Sequence, residues 1–287
     1  MKLDIAPLTA WIGRQETVSD GLAPFPAAAL AATLDRDDEY GPGAALPPLW
    51  HWAYFHELHK TAELADNGHV RLGGFMPPVP LPRRMYAGGR VWFKGALRIG
   101  ETARRTSTIA DLKTKRGESG ALVFLLVRHE FAGPGGTAVI EEQDVVYREA
   151  PQPGSAAPAP RRPAAAAVWR REVATDEALL FRYSALIFNA HRIHYDHPYC
   201  EREGYPGLVV HGPLIATLLA DLVRRNAAAA VTAFRFRAVR PLFVHAKWAV
   251  CGIPRGNTVA LWAEDADGVI AMEAEAELAG ERVTRDA

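Results

Sequence analysis

"GPLIATLLADLVRRN", residues 212–226, is the stretch on which the fold turns. Leu214, Ile215, Leu218, Leu219, Leu222 and Val223 recur at helical spacing and form one broad apolar stripe. Pro213 suits the first turn of a helix, where a missing N–H loses no partner. A well-buried helix is predicted from Pro213 to about Arg225. The period then changes. In "TAFRFRAVRP", Phe234 and Phe236 alternate with Arg235 and Arg237; in "AMEAEAEL", Met272, Ala274, Ala276 and Leu278 alternate with glutamates. Such alternation belongs to strands with one buried face. "HAKWAVCGI" and "TVALWAE", lying between them, read as two further strands. One buried helix followed by antiparallel strands is a sheet wrapped around a helix.

The same parts occur earlier in looser form. "PAAALAATL" (26–34) reads as a helix, and "GRVWFKGAL", "ARRTSTIADLKTK", "ALVFLLVRHEF" and "VIEEQDVVYRE" read as strands. Between the two sets lies "APQPGSAAPAPRRPAAAA" (150–167), whose five prolines exclude regular structure and favour an extended connector. Two modules of α+β class follow, residues 1–149 and 168–287, although no sequence repeat is visible. Prolines 77, 78, 80 and 82 predict a long surface loop through "GGFMPPVPLPRRMYAGG".

The chain of 287 residues is 49% hydrophobic and 23% charged, the profile of a globular protein with a substantial core. Its 33 basic and 33 acidic residues balance, which argues against nucleic acid and against an acidic membrane surface as partners. Two unpaired cysteines, Cys200 and Cys251, fit a reducing compartment. With no secretion-type start and no apolar run of membrane-spanning length, a cytoplasmic location is expected.

The chemistry concentrates in "FRYSALIFNAHRIHYDHPYC" (181–200), which holds His191, His194 and His197. Three histidines at this spacing suit a metal site, a catalytic site or plain packing. Pro198 and the lack of a glutamate beside the first histidine disfavour metal. His211 and Gly212, just before the buried helix, favour catalysis. A helix N-terminus with free N–H groups stabilises developing negative charge, and a nearby imidazole can carry the proton.

"YSALIFNAHRIHYD" followed by "GYPGLVVHGPLIATLLADL" resembles the MaoC-like hydratases and dehydratases of double-hotdog fold. Within them the chain looks closest to 3-methylfumaryl-CoA (mesaconyl-CoA) hydratases and type 2 hydroxyacyl-thioester dehydratases. "PPLWHWAYF" and "GGFMPPVPLPRRMYAGGRVWF" resemble the first domain of that group, so the similarity spans nearly the whole chain. In the common family motif of aspartate, any residue, asparagine, proline, an aliphatic residue and histidine, His194 takes the histidine place. Asn189 replaces the aspartate, His191 the asparagine and Arg192 the proline.

The resemblance implies reversible addition of water to a 2,3-unsaturated acyl thioester. His194 would be the general base, Asn189 the holder of the water, and the Gly212 N–H the oxyanion donor, with His191 and His211 in support. The N-terminal module would be non-catalytic and widen the acyl pocket, with Trp50, Trp52, Met85, Tyr86 and Trp92 as candidate linings. Arg83 and Arg84 would take the far carboxylate of a branched dicarboxylic acyl group. Arg235, Arg237 and Arg240 are candidates for the phosphates of coenzyme A. No cofactor beyond the thioester carrier is implied, no metal is expected, and a homo-oligomer is open. His51, His56, His59, His69 and His245 have no company in sequence and read as structural or surface groups. Two rivals stand: a dehydratase of fatty acid synthesis acting on acyl carrier protein, and a hotdog thioesterase or non-catalytic acyl-binding protein.

Overall fold

A computed structural model describes residues 6–117, 120–149 and 159–280. The first part of the chain forms β1 (Gln15–Asp20), α1 (Pro24–Thr33), β2 (Arg83–Phe93), β3 (Ala103–Gly117), β4 (Gly120–Gly133) and β5 (Gly136–Arg148). The second forms β6 (Trp169–Val173), α2 (Glu177–Leu186), α3 (His197–Arg202) and α4 (Gly212–Asn226). It closes with β7 (Val231–Ala238), β8 (Trp248–Arg255), β9 (Thr258–Asp265) and β10 (Ile270–Leu278).

Every residue of α4 from Leu214 to Val223 is buried. A helix apolar on all sides must be enclosed, and strands β6 to β10 pack around this one. Burying each Leu, Ile or Val side chain contributes roughly 1.5–3 kcal/mol. Thr217 and Asp221 are the polar exceptions within that run, and Asp221 is the one charged group. Its fully buried carboxylate pairs with Arg36 at 2.7 Å, Arg225 at 2.6 Å and Arg171 at 3.4 Å. Those guanidiniums come from the segment after α1, from α4 itself and from β6, so one carboxylate ties three elements together. A charge without partners there would be untenable.

The ten strands make one sheet in the order β1-β3-β4-β5-β2-β7-β10-β9-β8-β6. Strands of the two parts meet at β2 and β7, antiparallel from Gly88 opposite Arg237 to Trp92 opposite Ala233. One apolar core runs through both parts, joining Leu30, Trp50 and Phe131 to Leu219, Val250 and Met272. Beneath the seam, the fully buried Glu141 accepts hydrogen bonds from Gln143 Nε2 at 2.8 Å and Trp52 Nε1 at 3.0 Å. It also receives Tyr86 O–H at 3.2 Å and pairs with His51 Nε2 at 2.9 Å. Burial alone would raise its pKa, but the His51 hydrogen bond and charge, with His129 and Gln143, hold it at about 2.

The N-terminal helix is short, with ten residues, and packs on α2 and the single turn Trp50–Ala53. The long strands β3 to β5 overhang it. Ile109, Leu112, Val123 and Tyr147 on that overhang are covered by Leu8, Val79, Leu72, Phe75 and Met76.

The proline-rich loop is therefore shorter and better packed than expected. Its last residues, from Arg83, belong to β2, which is central and pairs with both β5 and β7. Proline is barred only within a hydrogen-bonded ladder, and Pro82 stops one residue short of it. Of the proposed connector, residues 150–158 lie outside the described residues. Residues 159–167 form neither helix nor strand, and Arg161 O accepts from Ile270 N–H at 2.8 Å. Among the described residues no helix is long and apolar enough to cross a membrane.

Candidate active site

The histidine-bearing block folds as a chain of caps. Asp176 caps α2 by accepting from Leu179 N–H at 2.8 Å. The helix ends where Phe188 turns left-handed at φ 50°, and Asn189 N–H reaches back to Ser184 O at 2.9 Å. Asn189 Oδ1 then takes the His191 N–H at 2.9 Å, the self-closing turn that asparagine favours. One 3-10 turn, Arg192–His194, follows. Asp196 caps α3 through Tyr199 N–H at 3.0 Å and holds Arg192 at 2.7 Å.

Three pieces of backbone thus carry the three histidines, and they do not fan out on one helix. His197 points to solvent near Glu177 and leaves the group. Among the described residues no three His, Cys, Asp or Glu side chains converge as a metal ion requires.

His194 is 7% exposed. Its Nδ1–H donates to Val209 O at 2.7 Å, which leaves the lone pair on Nε2. Burial lowers its pKa to about 4, against the opposing pull of the Val209 carbonyl. The ring stacks on His211 with centroids 3.6 Å apart and planes 19° apart. His211, fully buried ahead of α4, shares a 2.8 Å hydrogen bond between Nε2 and Ser184 Oγ. Burial, then the two neighbouring imidazoles, keep His211 well below the usual histidine range. Next to it, the Gly212 N–H opens α4 and has no acceptor among the described residues. A Cβ built on Gly212 would meet no atom within 4 Å, so the residue's own side is uncrowded.

On its other side His194 meets His191 edge to face at 5.6 Å, and His191 meets His69 at 4.2 Å. Burial first, then His194 and Arg84, push His191 down to about 3. Burial, then Arg84 and the two other imidazoles, hold His69 well below its ordinary value. A row therefore runs Gly212, His211, His194, His191, His69, and the charge of Arg84 acts on its last two rings. It can polarise a carbonyl at one end, move a proton in the middle and bind an anion at the other.

The structure brings together Gly212, His211, His194, His191 and Arg84 of the residues singled out in the sequence. Asn189 lies on the same segment; its oxygen accepts one bond from the turn, and its NH₂ remains free to donate to a water. Several expectations need correction. Arg83 is taken by Glu203, at 3.2 Å from its carboxylate, and lies over the Tyr205 ring. Trp50 is core, 1% exposed, between Tyr40 and Arg224. Tyr86 is tied to Glu141 and packs on Phe236. Trp92, two residues from the ion-paired Arg90, lies with it on the outer face of the sheet. Arg235, Arg237 and Arg240 pair with Glu275, Glu273 and Asp265, and Arg235 and Arg237 lie on the outer face of β7, alternating with the buried Phe234 and Phe236.

Two residues of the site were not foreseen. His69 and Ser184 gave no signal because their partners lie 122 and 27 residues away in sequence.

Known proteins share this frame. A MaoC-like dehydratase from Phytophthora Capsici superposes with a TM-score of 0.71 at 14% identity, over 97% of this chain and 100% of that one. HtdX of Mycobacterium tuberculosis does so at 0.65 and 16%, over 91% and 98%. At these identities the likeness is one of fold, and the fold is the double hotdog of MaoC-like proteins.

The sequence is more specific. Residues 49–244 match the model of hydroxyacyl-thioester dehydratase type 2, and the chain belongs to that family. It is 46% identical over 277 residues to a mesaconyl-C(4)-CoA hydratase of Chloroflexus aurantiacus, covering 94% of this chain and 98% of that one. It is 39% identical over 88 residues to the mitochondrial hydroxyacyl-thioester dehydratase type 2 of Schizosaccharomyces pombe, 29% and 28% of the two chains. The protein is an acyl-thioester hydro-lyase.

Proposed function

We propose that the protein adds water to a 2,3-unsaturated acyl-CoA bearing a second, free carboxylate, of the 3-methylfumaryl kind. The observation that carries this is Arg84. It acts electrostatically on His69, His191 and Tyr147, yet no carboxylate among the described residues lies within ion-pair distance of it. A guanidinium beside neutral imidazoles is a site for an anion. The 46% identical hydratase, whose named substrate is a dicarboxylic acyl-CoA, supports the same choice.

His194 Nε2 takes a proton from water as the oxygen bonds to C3. The C2=C3 electron pair moves onto the thioester oxygen, where the Gly212 N–H stabilises it. It returns as C2 takes the proton from the imidazolium, so the elements of one water are added and none left over. Val209 O, accepting from Nδ1–H, stabilises the transient charge on the ring. Asn189 orients the water through its free NH₂, while Ser184 and His211 brace the base from behind.

In this proposal residues 1–149 are a non-catalytic half that shapes the acyl pocket, 150–167 a connector, and 168–287 the catalytic half. The enzyme works in the cytoplasm, as one chain or a homo-oligomer, with no cofactor besides the substrate's own coenzyme A. The test is turnover of 3-methylfumaryl-CoA, crotonyl-CoA and a linear enoyl-acyl carrier protein, followed by loss of enoyl absorbance, with free thiol measured in parallel. Preference for the dicarboxylate without thiol release supports the proposal. Preference for the carrier-protein thioester favours the fatty acid dehydratase that the family match also supports, and thiol release favours a thioesterase.

A further inference from the structure

Gly68 adopts φ +86°, and a Cβ built on it would stand 1.8 Å from the Ala190 carbonyl oxygen. Only glycine lets this turn press so close to the backbone ahead of His191. The contact is fastened on both sides. Arg192 N–H donates to Asn67 O at 3.0 Å, and the Arg192 guanidinium reaches Asp66 Oδ1 at 2.9 Å. Within the turn, His69 N–H donates to Asn67 Oδ1 at 2.9 Å and Ala65 N–H to His69 O at 2.7 Å. All these bonds use backbone or other side chains. The His69 imidazole has no hydrogen-bond partner among the described residues and lies against His191, planes 38° apart.

We infer that His69 is a specificity-determining residue, forming with His191 and Arg84 a subsite for the free carboxylate of the acyl group, built across the two halves of the chain. The inference rests on the proposed dicarboxylic substrate. Its argument is positional. In a 3-methylfumaryl thioester the free carboxylate is bonded to C3, the carbon that receives water. Whatever binds that carboxylate must adjoin the base, and His191 touches His194 on one side and His69 on the other. A carboxylate has two oxygens to satisfy: Arg84 takes one, and a ring N–H of His69 the other.

The charged and titratable groups acting on His69 are Arg84, His191 and His194. With the site empty, the Arg84 charge helps keep the neighbouring rings neutral. A bound carboxylate cancels that charge and favours protonation of the His69 ring, which then donates to it as an imidazolium.

The experiment compares wild type, His69→Ala, His69→Gln and Gly68→Ala on 3-methylfumaryl-CoA and on crotonyl-CoA, which lacks the carboxylate. His69→Ala leaves every fastening bond of the turn in place, so its thermal midpoint should hold. The expected result is a ten- to hundredfold loss of kcat/KM on the dicarboxylate, mostly in KM, with crotonyl-CoA within about twofold of wild type. His69→Gln, which keeps an N–H donor, should recover part of the loss. Gly68→Ala, whose Cβ would collide with Ala190 ahead of His191, disturbs the base's own segment too and should lower turnover of both thioesters. Equal losses on both thioesters from His69→Ala, or no loss on either, would overturn the inference while the hydratase function stands. Wild-type protein that hydrates crotonyl-CoA alone also overturns it. Wild type that hydrates neither defeats the functional proposal and the subsite together.

Discussion

Replacing Gly212 by alanine separates stability from catalysis, because the two effects have opposite sign. The position needs no left-handed backbone, and a methyl there would touch no protein atom within 4 Å. Glycine loses more chain freedom on folding than alanine, so Gly212→Ala should stabilise the fold by about 0.4–1 kcal/mol. In a chain of this size that is a rise of about 1–3 °C in melting temperature. In the proposed mechanism the thioester oxygen comes to the Gly212 N–H, and a methyl on the same residue crowds that approach. Losing one oxyanion donor typically lowers kcat by about 10²–10³, or about 2.7–4 kcal/mol of transition-state stabilisation. A graded series, Gly212→Ala then Gly212→Val, should show the block deepen with side-chain bulk. The assays are a thermal melt and initial rates of hydration on the same preparation. An alanine variant with raised melting temperature and wild-type kcat would refute the placement of the thioester at this helix end.

His194→Ala should lower kcat by about 10²–10⁴ with little change in KM, since the loss lies in proton transfer. Because burial sets His194 at about 4, the base is neutral across ordinary pH. Hydration should stay flat down to about pH 5 and fall only as the ring is protonated below that; an acid limb near 6.5 would contradict the buried base. Asn189→Asp keeps the acceptor for His191 N–H and adds a negative charge to the same segment, so the limb should move up by about one pH unit. A limb that does not move would remove Asn189 from the neighbourhood of the base. Asp221→Ala strips several arginines of their shared carboxylate and should cost about 3–5 kcal/mol in chemical denaturation, as breaking a buried ion pair does. A loss under 1 kcal/mol would mean that the cluster re-forms around Asp38.

What could be read from the sequence followed from periodicity. The helix at Gly212–Asn226 and the strands after it show their burial residue by residue, as Phe234 and Phe236 against Arg235 and Arg237 do. The edge strands β1 and β6 were invisible because QETVSD and WRREV carry polar residues on both faces. Helix α2 was missed for a related reason: only Leu180 and Tyr183 in its ten residues are buried, too few for a stripe. Within the site, His191, His194, His211 and Gly212 are close in sequence and could be found together. Arg84 was noticed, but its prolines suggested a loop when the residue stands in a central strand. His69 could not be found, since only the fold brings a turn at Gly68 onto Ala190.

That turn bears on how the chain can change over time. Two identical half-length chains, paired by a twofold axis, would present two equivalent reaction centres, and any mutation would strike both at once. Under the proposed assignment a base and an anion-facing loop that meet at one centre are encoded more than a hundred residues apart, with Asp66 to His69 in the loop's half. Substitutions in that loop can retune which acyl groups are accepted while the proton-handling block stays untouched. With the halves assigned as proposed, two hotdogs in one chain use a single reaction centre, and the half without the base is free to vary as a selector.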